Sequence, residues 1–352
     1  MQSVENRGTV PVSIREVAAH AGVSIATVSN VLNRPQIVAQ PTRDRVNAAI
    51  KDLGFVRNES ARQLRAGHSR TIGLVVLDVA NPFFTDLARG VEDEAAKAGL
   101  AVILCNSDDQ ENKEKRYLEL LEEHRVAGVL ITPVDGAGSR LAKLQKRGTP
   151  VVLVDSRSSS RGQCSVAVDD VLGGDLAVTH LLAAGHQRIA YISGPPGIRQ
   201  VADRLEGAQR ALARDGRPPE SLLMITASSL NVAAGQKAGA EIAALRAADR
   251  PTAVFCSNDL IALGVLQEMT RNRIRVPEEV SIVGYDDIDF AAAAAVPLTS
   301  VRQPRHQLGR TAARMLIEES GSNETHQHQQ VIFEPQLVVR QSTAQAWPAR
   351  PD

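Results

Sequence analysis

The chain is short of several things that would commit it to a particular environment or chemistry. No apolar run approaches the ~20 residues needed to cross a bilayer, so no membrane-spanning helix is expected. The first stretch, Met1 to Pro11, is polar and lacks the apolar centre of a secretory signal. Cysteines are three, Cys105, Cys164 and Cys256, too widely separated for a disulfide framework. They read as buried thiols in a reducing compartment, which makes the cytoplasm the expected location. Aromatic residues are only 3% of the chain, leaving few rings to stack on a sugar face. Gly194-Pro195-Pro196-Gly197 lacks the Lys-Ser/Thr end of a phosphate loop, and proline removes donors. His180 and His186 lie around a helix end, and His326 and His328 lie in a polar surface stretch. Neither pair has a third or fourth ligand near it in sequence, so no metal and no cofactor is assigned. The pairs Asp108-Asp109, Asp169-Asp170 and Asp286-Asp287 each follow a strand-like run, where Asp commonly caps a turn or helix. No catalytic residue is assigned.

Net charge is also lacking, but its absence conceals an asymmetry. Up to Arg70 there are ten basic and five acidic side chains, a surplus of five, and the whole chain sums to zero. A basic head therefore sits on an acidic body, as expected where one end neutralises phosphates. Within that head, residues 13–33 read as two short helices joined by a tight turn. Ala18 supplies the small residue where the helices cross, Gly22 the turn, and Ser24 the cap of the second helix. Val17, Val28 and Val31 fall on the faces that close a small core. A third helix follows a Pro35–Pro41 loop, with Thr42 as cap, Val46, Ala49, Ile50 and Leu53 at helical spacing, and Gly54 as stop. This is a helix-turn-helix, and its expected partner is double-stranded DNA.

From residue 71 onward, apolar runs of strand length alternate with amphipathic stretches. Ile72–Leu77, Ala101–Asn106, Gly128–Ile131 and Val151–Val154 form one series. Arg188–Ser193, Leu222–Ile225, Ala253–Ser257 and Ser281–Gly284 form a second. Continuous apolar strands separated by helices imply parallel sheets covered on both faces. Two series imply two sheets and a cleft.

At this point the chain resembles the lactose/galactose-repressor family of bacterial transcription regulators. The likeness runs through Ile14-Arg15-Glu16-Val17-Ala18, Gly22-Val23-Ser24, Ala26-Thr27-Val28-Ser29-Asn30-Val31-Leu32-Asn33, Asn58, Ala61-Arg62-Gln63-Leu64-Arg65 and Asn81-Pro82-Phe83-Phe84. It continues in Gly185-His186, Arg204, Asn258-Asp259 and Val280-Ser281-Ile282-Val283-Gly284-Tyr285-Asp286-Asp287. The resemblance implies an all-α helix-turn-helix head over residues 12–56 and a hinge segment over 57–70. A two-lobed α/β body like the periplasmic binding proteins follows over 71–341. Lobe one takes about 71–168 and 303–332, lobe two about 169–302 and 333–341, and 342–352 is a tail. It further implies a sequence-specific regulator, by family habit a repressor, that binds a palindromic operator as a homodimer.

By motif, Ile25, Ala26 and Asn30 face base edges, while Ser24, Thr27, Ser29 and Asn33 are placed for phosphates or helix packing. Ile25 and Ala26 offer only apolar contacts, whereas Asn30 can pair bidentately with adenine. In the hinge, Asn58, Ala61 and Leu64 match DNA-contacting positions, with Leu64 as the wedge at the central base step. Arg57 replaces a proline frequent at that point. For the cleft, the resemblance places Phe83, Phe84, Asp155, Arg204, Asn258 and Asp286 around a small polar effector, with a carbohydrate as the expected class. Carboxylates, a guanidinium fork and an amide suit a neutral polyol. Arg204 could instead pair with Asp203 or Glu206, and Asp155 and Asp286 could simply cap turns. The tail carries no leucine heptad, so a dimer rather than a tetramer is expected. Two rivals have different requirements: a transport solute-binding protein has no use for the basic head, and a cleft enzyme acting on sugars needs an acid/base pair that no motif supports.

Overall fold

The computed structural model describes residues 12–56, 69–134, 138–321 and 326–346. The chain divides into two units, one running to Gly67 and the other starting at His68.

The first unit is built by local signals. Helix α1 (Ile14–Ala21) opens on a capping box in which Ser13 and Glu16 satisfy each other's backbone N–H groups, and it closes on Gly22 in the left-handed region at φ 61°. Helix α2 (Ile25–Asn33) starts at Ser24, whose hydroxyl accepts from the Thr27 N–H at 3.1 Å. Helix α3 (Gln40–Leu53) stops at Gly54, also left-handed. It begins earlier than a Thr42 cap would place it. Pro41 occupies the first turn, where a missing N–H costs nothing, and no side chain caps the helix. Val17, Ala18, Ala21, Val28, Val31, Val46 and Ala49 are buried together between the three helices.

The second unit holds two six-stranded sheets. The first contains β1 (Thr71–Val76), β2 (Ala101–Asn106), β3 (Val129–Ile131), β4 (Val151–Val154), β5 (Ser165–Val168) and the late strand β11 (Gln330–Phe333), in the order β11-β5-β4-β3-β1-β2. The second contains β6 (Ile189–Ser193), β7 (Leu222–Thr226), β8 (Ala253–Cys256), β9 (Ser281–Asp286), β10 (Thr299–Arg302) and β12 (Gln336–Val338), in the order β12-β10-β9-β8-β6-β7. Every pairing is parallel except β12 on β10. Phe333, expected to begin the final strand of the second lobe, instead pairs with Val168 in the first sheet. Strand β5 and the helix α6 (Gly138–Lys146) have no counterpart among the strand and helix runs read from the sequence.

Both faces of each sheet are covered, which explains the unbroken apolar strands. In β1, Leu74 and Val76 enter one core with Leu87 and Leu316, while Val75 enters the opposite core with Leu141 and with Leu121 of helix α5 (Glu111–Glu123). In β8, Val254 and Cys256 face one core and Ala253 and Phe255 the other. Each fully buried Leu, Ile or Phe contributes roughly 1.5–3 kcal/mol.

Helix α4 (Pro82–Lys97) and the last helix α12 (Arg305–Gly321) cover the first sheet. On the second sheet, α7 (Asp170–Ala183) and α8 (Arg199–Arg214) run unusually close, because Gly174 faces the Arg204 carbonyl and Gly207 faces that of Val171. A Cβ at either position would lie 2.0 or 1.9 Å from the oxygen. That approach fixes Arg204 beside the start of α7. Helices α9 (Val232–Ala243), α10 (Asp259–Arg271) and the short α11 (Asp289–Ala292) complete this lobe.

The residues after Gln341 do not begin as a free tail. Ser342 is fully buried, accepts from the Thr299 N–H at 2.8 Å and donates to the Ile282 carbonyl at 2.6 Å, and the Ala346 N–H reaches the Ala184 carbonyl.

Candidate functional site

In the first unit the exposed face of α2 carries the residues expected to meet a partner. Ile25 is 44% exposed, and Ala26 and Asn30 are exposed beside it. Thr27 and Ser29 are half-buried, and Ser24 is held by its cap and by a 2.9 Å hydroxyl contact with Thr27. Asn33 folds back to donate to the Ser29 carbonyl at 2.8 Å, at the helix end. No acidic residue stands in the first turn of α2 to repel phosphate. The hinge residues Asn58, Ala61 and Leu64 lie outside the described residues.

In the second unit a cavity of about 350 Å³ opens between the two sheets at the carboxyl ends of their parallel strands. This is the usual ligand position in open α/β sheets. All six residues expected there, Phe83, Phe84, Asp155, Arg204, Asn258 and Asp286, line it. From the first lobe come the opening turn of α4, where Asn81 caps the helix by accepting from the Phe83 N–H, and Asp155 just after β4. Phe83 and Phe84 are buried and meet edge to face, their ring centres 5.0 Å apart. From the second lobe come α8, the cap of α10 and the end of β9.

Arg204 is held from three sides. Its Nε donates to Asp170 Oδ1 at 2.8 Å, one terminal nitrogen donates to the Ser257 carbonyl at 2.6 Å, and its guanidinium carbon lies 3.7 Å above the centre of the Tyr285 ring. The buried partner is therefore Asp170, not the neighbouring Asp203 or Glu206. Burial works against its charge, but Asp170, Tyr285, Asp286 and Asp155 outweigh it and push its pKa further up. A guanidinium has five N–H donors, so some remain for a ligand.

The carboxylates are tuned the other way. Burial raises the Asp155 carboxyl well above the usual range, and the charge on Asp170 adds to it against Arg204. Gln200 Nε2 donates to Asp155 Oδ2 at 3.2 Å, whereas the buried Oδ1 has no hydrogen-bond partner. Burial also raises Asp286, opposed by Arg204 and by hydrogen bonds from Asn81 and Gln303. Gln303 donates to Asp286 Oδ1 at 2.7 Å, and Asn81 donates to Oδ2 at 3.3 Å. Both Asp155 (φ 53°) and Asp286 (φ 102°) have positive φ, an uncommon setting for a side-chain-bearing residue. Together they offer acceptors and a fixed fork of donors in a dry space, enough to orient a small hydroxyl-rich molecule.

Asn258 serves the protein at both ends. Its oxygen caps α10 by accepting from the Ile261 N–H at 2.9 Å, and its Nδ2 donates to the Leu230 carbonyl at 3.0 Å. It shapes the wall through Leu230 rather than presenting a free amide. Asn81, Gln200 and Gln303 are among the polar lining residues that no motif singled out as ligand contacts, although Asn81 stands in a matched motif. Their role is legible only from the fold.

The remaining titratable groups separate clearly. His180 bonds the Thr343 hydroxyl, and His186 bonds Thr252 and the Ala344 carbonyl. Burial lowers the pKa of both rings, which tie the chain end to the second lobe. His326 and His328, by contrast, do have further ligand-type neighbours. Cys164, distant in sequence, and Glu319, on the preceding helix, meet them in the fold. Among the described residues, no helix is long and apolar enough to cross a membrane.

Comparison with known proteins agrees with this geometry. A model of bacterial regulatory proteins of the lacI family matches residues 13–58, and one of a periplasmic binding protein-like domain matches residues 178–343. The HTH-type transcriptional repressor PurR of Aliivibrio fischeri (strain MJ11) is 34% identical over 333 residues, covering 94% of this chain and 98% of that protein. A lac repressor dimer solved with operator and the anti-inducer ONPF superposes with a TM-score of 0.81 at 28% identity, over 95% of this chain and all of the other. A LacI family transcriptional regulator from Enterococcus faecium solved with bound ribose superposes with a TM-score of 0.72 at 32% identity, over 78% of this chain and 99% of that one.

Proposed function

Because the chain belongs to the lacI family of bacterial regulatory proteins, we propose that it is a transcriptional repressor. In this reading it grips operator DNA with α2 and answers to a small carbohydrate held between its lobes. The observation that carries the proposal is the convergence of Arg204, Asp155 and Asp286 from two lobes on one cavity, in a chain that also presents Ile25, Ala26 and Asn30 on an exposed helix. Asp155 and Asp286 accept ligand hydroxyls, Arg204 donates, and Phe83 and Phe84 form the apolar wall. The relatives support both halves: one was solved on operator and another with ribose.

One small head reads few base pairs, so affinity for an operator requires two heads on a palindrome. The edge strands supply apolar surface for a two-fold contact. Leu104 on β2 is 43% exposed with Val102 and Ile103 half-buried beside it, and Leu223 and Met224 on β7 are equally open. In the hinge, Asn58 and Ala61 approach the backbone and Leu64 wedges the central step. The ranges 12–56, 57–70 and 71–341 serve as head, hinge and body, and the protein works in the cytoplasm where its operator lies.

The test is direct. DNA selected from a random library should yield a palindrome, and a thermal-shift screen of sugars against the full chain should find a ligand that changes affinity for it. Selection of no palindrome would overturn the DNA reading. A cavity filled by another metabolite class would overturn the carbohydrate.

A further inference from the structure

At the edge of the first sheet four side chains converge that no part of the regulatory reading uses. Cys164 stands just before β5, Glu319 lies in the last turn of α12, and His326 and His328 lead into β11. One ligand-type atom from each falls within 4.8 Å of all the others. Cys164 Sγ lies 3.2 Å from His326 Nε2 and 3.6 Å from His328 Nδ1, and His326 Nε2 lies 3.9 Å from Glu319 Oε2. The two rings stand nearly perpendicular, 80° apart, with centres 5.2 Å apart, so each aims a different nitrogen at the same space.

We propose that Cys164, Glu319, His326 and His328 form a four-ligand site for a zinc-class divalent ion. Tetrahedral zinc with bonds of roughly 2.0–2.3 Å holds its ligand atoms about 3.3–3.8 Å apart, which the observed separations approach without rearrangement of the backbone. Hydrogen bonding alone does not satisfy the cluster. A nitrogen of each ring crowds onto the one sulfur, and the buried Glu319 Oε2 has no hydrogen-bond partner. A cation accepts all four lone pairs at once. The donor set also selects the ion: one thiolate and two imidazoles suit zinc and its neighbours, whereas calcium and magnesium require oxygen.

The surroundings fit a structural site. Cys164 is fully buried, and the Gln329 N–H points at its sulfur from 3.4 Å, the kind of outer-shell donor that steadies a thiolate. All four positions are supplied by protein, leaving no open coordination for a substrate. The bound ion would pin the end of α12 and the start of β11 to the start of β5.

The probe is cobalt(II), added to full-length protein purified without a polyhistidine tag and kept reduced. The expected result is one cobalt per chain, with a thiolate-to-cobalt charge-transfer band and intense tetrahedral d–d absorption that zinc abolishes by displacement. Cys164→Ser should remove the charge-transfer band. His328→Gln, at an exposed position, should weaken cobalt binding by about tenfold or more without altering the circular dichroism of the metal-free protein. If Cys164→Ser does not fold, His328→Gln decides alone. Cobalt binding without a charge-transfer band, or with affinity unchanged in His328→Gln, would overturn the site, as would failure to bind.

Discussion

Gln200, on the second lobe, donates its amide N–H to the Oδ2 of Asp155, on the first, at 3.2 Å across the cleft. Asn81 answers from the other side by donating to Asp286 at 3.3 Å. The lobes are thus bridged by the same two carboxylates that are proposed to hold the ligand, and ligand and bridge compete for or share their lone pairs.

Gln200→Leu removes the donor and leaves the buried Asp155 carboxyl with both oxygens unpaired. A hydrogen bond contributes about 0.5–1.5 kcal/mol, and here it acts only when the lobes are together. The ligand-free variant should have a larger radius of gyration by small-angle scattering than the parent. An unchanged radius would show that the bridge does not bias closure.

Ligand uptake should release protons. Burial holds the Asp155 carboxyl protonated above its ordinary value of about 3.9, and hydroxyl donors favour the ionised form. Calorimetry in two buffers of different ionisation enthalpy should therefore report proton release, with affinity rising with pH. The same shift has the opposite sign for stability. Between the ordinary and the raised value the folded chain binds more protons than the unfolded one, so this group's contribution falls as pH rises through that interval.

Asp170→Ala strands the Arg204 charge in a dry site. Breaking one partner of a buried pair costs roughly 3–5 kcal/mol, and urea unfolding should show the loss. Asp203→Ala, next to Arg204 on its own helix α8, should cost far less, because its contact with Arg199 is at the surface. Similar losses from the two variants would contradict the pairing.

Asn30→Ala should relax preference at one base pair in each half-site by about 1–3 kcal/mol, read by selection from a degenerate operator library. It should leave binding to random DNA unchanged, since it removes no positive charge. A uniform loss on all sequences would place Asn30 on the backbone instead.

Legibility in the sequence followed distance along the chain. The head was readable because Ala18, Gly22, Ser24 and the valines that close its core act within a few helical turns. Only the start of α3 moved, where Pro41 prevailed over Thr42. Unbroken apolar strands announced the two sheets, but β5 mixes Ser165 and Ala167 with its two valines, and an argument from apolar runs passes over it. In the cleft, motif residues pointed to the right walls. The partner of Arg204 was hidden because Asp170 lies on another helix, brought near by glycines whose significance exists only once α7 and α8 touch. Cys164 and His326 are farther still: their approach depends on β11 returning to pair with β5.

That return has a mechanical consequence. The chain passes between the lobes at three places: after Val168, after Arg302 and after Phe333. Two of the straps are laced together where the Asp169 N–H reaches the Phe333 carbonyl at 2.9 Å. A single strap would let the halves swivel in any direction. Three side by side behave like a door on several pins, yielding readily to one rotation and stiff against twist and slide. Whatever occupies the cleft is then converted into one angle.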